Sequence, residues 1–216
     1  TNSIEYYSKA LEINPDDISV IRNGLKDESV RVYDIQKGGD PHKCVDIAVI
    51  AEGYTAFQAP EAIEDVQKLM RDFFSMEPYK SNKDKFNIYC VLKPSSESGV
   101  DEPRAGIFKK TSVDATFNSL NSERYLLTED NKALRDIAAQ VPYDAVMIMV
   151  NSKRYGGGGI YNFYCTFTAK NQWASYLVLH EFGHSFAGLA DEYYTSATAY
   201  DDFYPSGTEP KEPNIT

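Results

Sequence analysis

The segment Trp173-Ala174-Ser175-Tyr176-Leu177-Val178-Leu179-His180-Glu181-Phe182-Gly183-His184-Ser185-Phe186-Ala187-Gly188 carries two histidines four residues apart, with a glutamate directly after the first. On a helix, residues four apart share a face one turn apart, so His180 and His184 aim their imidazoles at a common point. Neutral imidazole is a good zinc ligand. Glu181 lies about 100° around the helix from His180. It can avoid a bound metal yet reach a water beside it, the arrangement that metal-assisted hydrolysis needs. The run Trp173 to Leu179 supplies an apolar wall. Asn171 is the expected cap and Gly188 the expected stop. Two of the three histidines in the chain fall inside this motif.

A catalytic zinc takes a third protein ligand and keeps one open position. The remaining histidine, His42, precedes the first core strand and has no route to the motif, so a carboxylate is expected. If Gly188 ends the helix in a left-handed turn, the chain folds back beneath the metal. Asp191 is then the first choice for the third ligand and Glu192 the second. Glu209 and Glu212 adjoin prolines in an unhelical tail, which disfavours a ligand from there.

Working outward, Val45 to Ala51 is an apolar run broken only by Asp46 and suits a buried strand. Ile63, Val66, Met70 and Phe73 recur at helical spacing and predict a helix over 60–74, with Pro60 in its first turn. Phe86 to Leu92 and Tyr143 to Val150 read as further strands. Thr128 is the expected cap of a helix running to about Gln140. This order predicts an α/β fold with a mostly parallel sheet. Gly156 to Gly159 read as a flexible or close-approach segment. No Lys-Ser/Thr follows them, so they are not a phosphate loop. Ile160 to Thr168 alternates aromatic with polar residues and predicts a strand with one exposed face.

Residues 1–40 read as a peripheral segment or linker from an upstream domain, and 41–216 as one catalytic domain. The net charge of −10, with no clustered basic footprint, argues against nucleic-acid binding. No apolar run approaches the length of a membrane span. Cys44, Cys90 and Cys165 are far apart in apolar surroundings and read as small buried hydrophobes. The sixteen tyrosines fit semi-buried packing better than a dedicated aromatic surface. Asn214-Ile215-Thr216 is a glycosylation sequon, a pattern common enough to arise by chance.

The stretch His180 to Tyr194 resembles the IgA-peptidase-like zinc metallopeptidases, the igalysins, near the metzincins. Ala51-Glu52-Gly53-Tyr54-Thr55, Phe86-Asn87-Ile88-Tyr89, Pro94-Ser95-Ser96-Glu97-Ser98-Gly99-Val100-Asp101 and Tyr155 with its glycines extend the resemblance over residues 45–194. The resemblance implies a zincin-like catalytic domain: a twisted, mostly parallel sheet, an antiparallel edge strand that pairs with extended substrate, and an active-site helix. It implies a zinc endopeptidase with Glu181 as general base. The substrate would be a protein or peptide, glycoproteins included, and the enzyme one secreted by a bacterium or held in its envelope. By this analogy Ile160 to Thr168 is the edge strand, with Tyr161, Phe163 and Cys165 binding substrate by β-augmentation. Tyr193 and Tyr194 are nearby donors for the oxyanion. Two features depart from metzincins. Gly188 and Asp191 each fall one residue later than the usual positions, which hold Ala187 and Ala190. All four methionines precede the motif, so the methionine turn is absent or the chain stops before it; the loop-like end favours the second. A peptidase-like module that binds without cutting is the alternative, and the intact Glu181 argues against it.

Overall fold

Six strands form one sheet in the order β1-β3-β2-β6-β8-β7. The computed structural model describes residues 26–192, 204 and 207–215. The central strands β2 (Val45–Glu52), β3 (Phe86–Leu92), β6 (Ala145–Val150) and β8 (Tyr164–Thr168) run parallel to one another. Both edges are antiparallel: β1 (Arg31–Gln36) pairs with β3, and β7 (Gly157–Ile160) pairs with β8. A short hairpin of β4 (Thr116–Phe117) and β5 (Leu126–Leu127) stands apart from this sheet.

The period-two alternation of a strand sends successive side chains to opposite faces, and β2 supplies both cores. Ile47, Val49 and Ala51 pack under helices α1 (Ala59–Phe73) and α3 (Ala174–Ala187). Ala48 and Ile50 pack on the other face with α2 (Asn131–Ala138), the β4–β5 hairpin and Val100 and Val113 of the preceding loop. Covered on both sides, the parallel strands are mostly apolar on both faces, with Asp46, Glu52, Asn87, Thr166 and Thr168 as their buried polar exceptions.

Three expectations need correction. Thr128 does not cap α2. Its hydroxyl accepts from Asp130 N at 3.0 Å and donates to the Val113 carbonyl, while Asp130 caps the helix through Ala133 N at 2.9 Å. Arg31–Gln36, expected in a peripheral segment, is a full member of the sheet. It is an edge strand with mostly exposed or half-exposed side chains and a bulge between Asp34 and Gln36, so its alternation is weak. Ile160 to Thr168 is not the edge strand. Residues 161–163 turn the chain, and β8 behind them lies inside the sheet between β6 and β7.

The motif residues at the end of β2 form a clasp. Glu52 is fully buried. Its carboxylate accepts from the backbone N–H of Ser112 at 3.0 Å, Val113 at 3.1 Å and Ala115 at 3.1 Å, and from the hydroxyls of Thr111 and Ser112. A buried carboxylate persists when its lone pairs are filled in this way. Gly53 adopts φ 75° and its carbonyl accepts from Gly99 N at 3.0 Å and from Asn151 Nδ2 at 2.9 Å. These residues hold the 94–115 loop against the sheet.

Candidate active site

Helix α3 ends at Gly188, which takes φ 67° and ψ 29°. Gly188 N donates to the His184 carbonyl at 3.1 Å and Leu189 N to the Gly183 carbonyl at 3.2 Å. This left-handed stop reverses the chain as glycine permits. Asn171 acts just ahead of the helix, its Oδ1 accepting from Trp173 N at 2.9 Å.

The back of α3 is fixed by aromatic packing. Phe182 meets Phe73 of α1 edge-on at 5.4 Å between ring centres, Tyr79 at 5.8 Å, and Phe186 stacked at 4.8 Å. Such pairs add about 0.5–1.5 kcal/mol each beyond burial. The Ser175 hydroxyl also donates to Asp72 of α1.

On the opposite side, His180 and His184 bring their Nε2 atoms to 3.2 Å. Past the helix end, Asp191 Oδ1 lies 3.1 Å from each of them. Glu192 does not join this group; its Oε1 accepts from Asn214 Nδ2 at 2.7 Å. His184 Nδ1–H donates to the Leu189 carbonyl, which fixes the tautomer and leaves the Nε2 lone pair facing Asp191. The Tyr176 ring stacks on His180 at 5.4 Å and 22°. Burial, then the neighbouring His184, lowers the His180 pKa, which favours the neutral ring that ligates metals.

Three donor atoms 3.1–3.2 Å apart form a nearly equilateral triangle. Ligand atoms of a tetrahedral ion with bonds of about 2.0–2.1 Å stand roughly 3.3 Å apart. Two imidazoles and one carboxylate also match the donor types of catalytic zinc. The residues present therefore fit such an ion.

Glu181 is buried beside them, within the group of His180, Glu181 and His184 whose ligand atoms lie within 4.8 Å of one another. Burial, then the Asp191 carboxylate, pushes its carboxyl up to about 8 against the opposing Arg124 guanidinium. In its ionised form such a carboxylate is a stronger proton acceptor than an exposed one.

The glycines of β7 make this possible. A Cβ on Gly157 would sit 2.8 Å from Glu181 Oε1 and 2.8 Å from the Thr166 carbonyl oxygen. One on Gly159 would sit 2.5 Å from the Glu181 carbonyl oxygen and 2.6 Å from His184 Cβ. Only bare backbone lets the strand lie this close under the motif helix. Gly158 faces the hairpin instead, where a Cβ would meet Cδ2, the side-chain end of Leu127, at 2.7 Å. Gly159→Ala is therefore expected to cost about 1–3 kcal/mol by overpacking. Gly158→Ala should cost clearly less, because a rotating methyl yields where backbone does not. Urea unfolding of both variants measures the difference, and equal losses would refute the close-approach account.

The other expected residues are scattered. Tyr161 is exposed in the β7–β8 turn, its ring over Gly188. Phe163 is half-buried beneath Arg135 and beside Tyr164. Cys165 is wholly buried inside the sheet. Phe163 and Cys165 thus do not lie on an edge as substrate contacts. His42 sits in a turn before β2, and Glu212 accepts from Tyr204 OH at 2.6 Å. Tyr193 and Tyr194 lie outside the described residues.

The IgA Peptidase M64 family model matches residues 33–216. The chain belongs to that family. A search of curated proteins returned no match. As an M64 peptidase the chain acts on protein substrate. No helix among the described residues is long and apolar enough to cross a membrane.

Proposed function

We propose that this M64 peptidase is a zinc-dependent endopeptidase of zincin-like fold, with His180, His184 and Asp191 as metal ligands and Glu181 as general base. The observation that carries this reading is the triangle of Nε2, Nε2 and Oδ1 atoms at 3.1–3.2 Å with a buried carboxyl beside it. Zinc, when bound, supplies a Lewis acid that polarises the scissile carbonyl and makes water more acidic. Glu181 takes the proton as water attacks the carbonyl carbon. It then hands the proton to the leaving nitrogen as the C–N bond breaks. Gly157 and Gly159 let β7 lie directly against Glu181, so the place of its carboxyl is set by packing.

Strand β7 is the expected substrate platform. Antiparallel pairing with β8 directs alternate backbone groups away from the sheet. At Gly157 that outer edge is taken, since Gly157 N donates to the Arg124 carbonyl at 3.3 Å and Tyr125 bridges alongside. The Gly159 peptide groups face outward in the same sense, beside His184. An extended peptide adding a strand there gains main-chain hydrogen bonds next to the histidines.

The purified protein is expected to carry about one zinc per chain and to cleave a mixed peptide library. A chelator should abolish cleavage and added zinc restore it. Cleavage that survives complete metal removal would overturn the zinc mechanism. A zinc-loaded protein that binds peptides without cutting them would leave the binding-module reading standing instead.

A further inference from the structure

We propose that Asn214 is a positioning residue that holds the Asp191 arm of the metal site in place. This rests on Asp191 being a zinc ligand. Beyond Gly188 the chain from Leu189 to Glu192 has no helix or strand to support it, and Asp191 is at its exposed end. Two ligands come from a packed helix, and the third comes from this short arm.

The support comes from 24 residues further along. Asn214 Oδ1 accepts from Ala190 N at 2.9 Å, and Asn214 Nδ2 donates to the Ala190 carbonyl at 2.9 Å. The same Nδ2 donates to Glu192 Oε1 at 2.7 Å. The side-chain amide thus pairs with Ala190 as a neighbouring strand would and grips Glu192 as well. Asp191 lies between the two gripped residues, and its carboxylate faces the two imidazoles. The amide orientation is unambiguous, because an N–H, a carbonyl and an acceptor-only carboxylate accept just one placement of its oxygen and nitrogen. Both N–H bonds and the oxygen of the side chain are used.

Groups that orient a metal ligand without touching the metal are worth about 10–100-fold in affinity. Asn214→Ala is expected to weaken zinc binding by a factor in that range, read by competition with a chromophoric chelator. The unfolding midpoint of the metal-free protein should stay close to wild type, because the arm lies outside the packed core. Asn214→Asp keeps an acceptor for Ala190 N but loses both donors and sets a charge against Glu192. It should also weaken zinc binding, and combining it with Glu192→Gln should recover part of the loss, since the glutamine amide can donate to the new carboxylate. General damage to the fold would not be rescued in this way. Zinc affinity within twofold of wild type in Asn214→Ala, while Asp191→Ala loses the metal, would overturn this inference alone. Wild-type affinity in Asp191→Ala would overturn the ligand assignment and this inference with it.

Discussion

Replacing Glu181 by glutamine is expected to leave zinc bound and to lower peptide turnover by a factor on the order of 10² or more, the usual contribution of a general base. The amide has the size and shape of the carboxyl it replaces, so the contact with Gly157 and the buried position beside His180 and His184 persist. What disappears is the capacity to take a proton. The loss should therefore fall on kcat, with KM little changed, because no interaction with the unreacted peptide is removed. Metal analysis of the same preparation separates this from simple loss of zinc. Near-normal turnover in a zinc-loaded preparation would place the base elsewhere.

The second large effect concerns the ligands. Structural zinc sites bind with about 10–16 kcal/mol across four ligands. One ligand is then worth roughly 3 kcal/mol, or about two decades of affinity. His180→Ala, His184→Ala and Asp191→Ala are each expected to lose zinc on that scale. Glu192→Ala should lose much less, because its carboxylate is turned to Asn214 and away from the imidazoles. Isothermal titration of the four metal-free variants decides the matter. Loss in Glu192→Ala with retention in Asp191→Ala would reverse the assignment, and retention in both would move the third ligand elsewhere in the chain.

Much of this was legible because some residues announce their structure locally. The runs of β2, β3 and β6 are apolar on both faces, and α1 repeats at helical spacing. The histidine pair needs only the pitch of a helix to converge, and Gly188 signals the reversal that leads to Asp191. Strand β7 was hidden for the opposite reason. Glycine has no side chain to alternate, so Gly156 to Gly159 read as a flexible or close-approach segment, with no sign that Gly157–Ile160 is a sheet edge. The aromatic alternation of Ile160 to Thr168 marks a strand instead, and it is the family resemblance that makes this strand the edge. Strands of two residues, such as β4 and β5, carry no period at all. Asn214 could not be read from local pattern, since its partners are 22 and 24 residues away. In the sequence Glu52 stands out only as part of a motif; its buried hydrogen bonds to 111–115 depend on tertiary contact.

The grip of Asn214 has a consequence for how the protein is produced. Asn214-Ile215-Thr216 is an acceptor sequence for N-linked sugar, and the sugar attaches to the same Nδ2 that donates to Ala190 and Glu192. Attachment replaces one of its two hydrogens, so one of those bonds must go, and the bulk of the glycan is set against the loop that carries Asp191. A host cell that decorates secreted chains in this way would yield enzyme of normal sequence with a slackened metal site, while a host without that machinery would not.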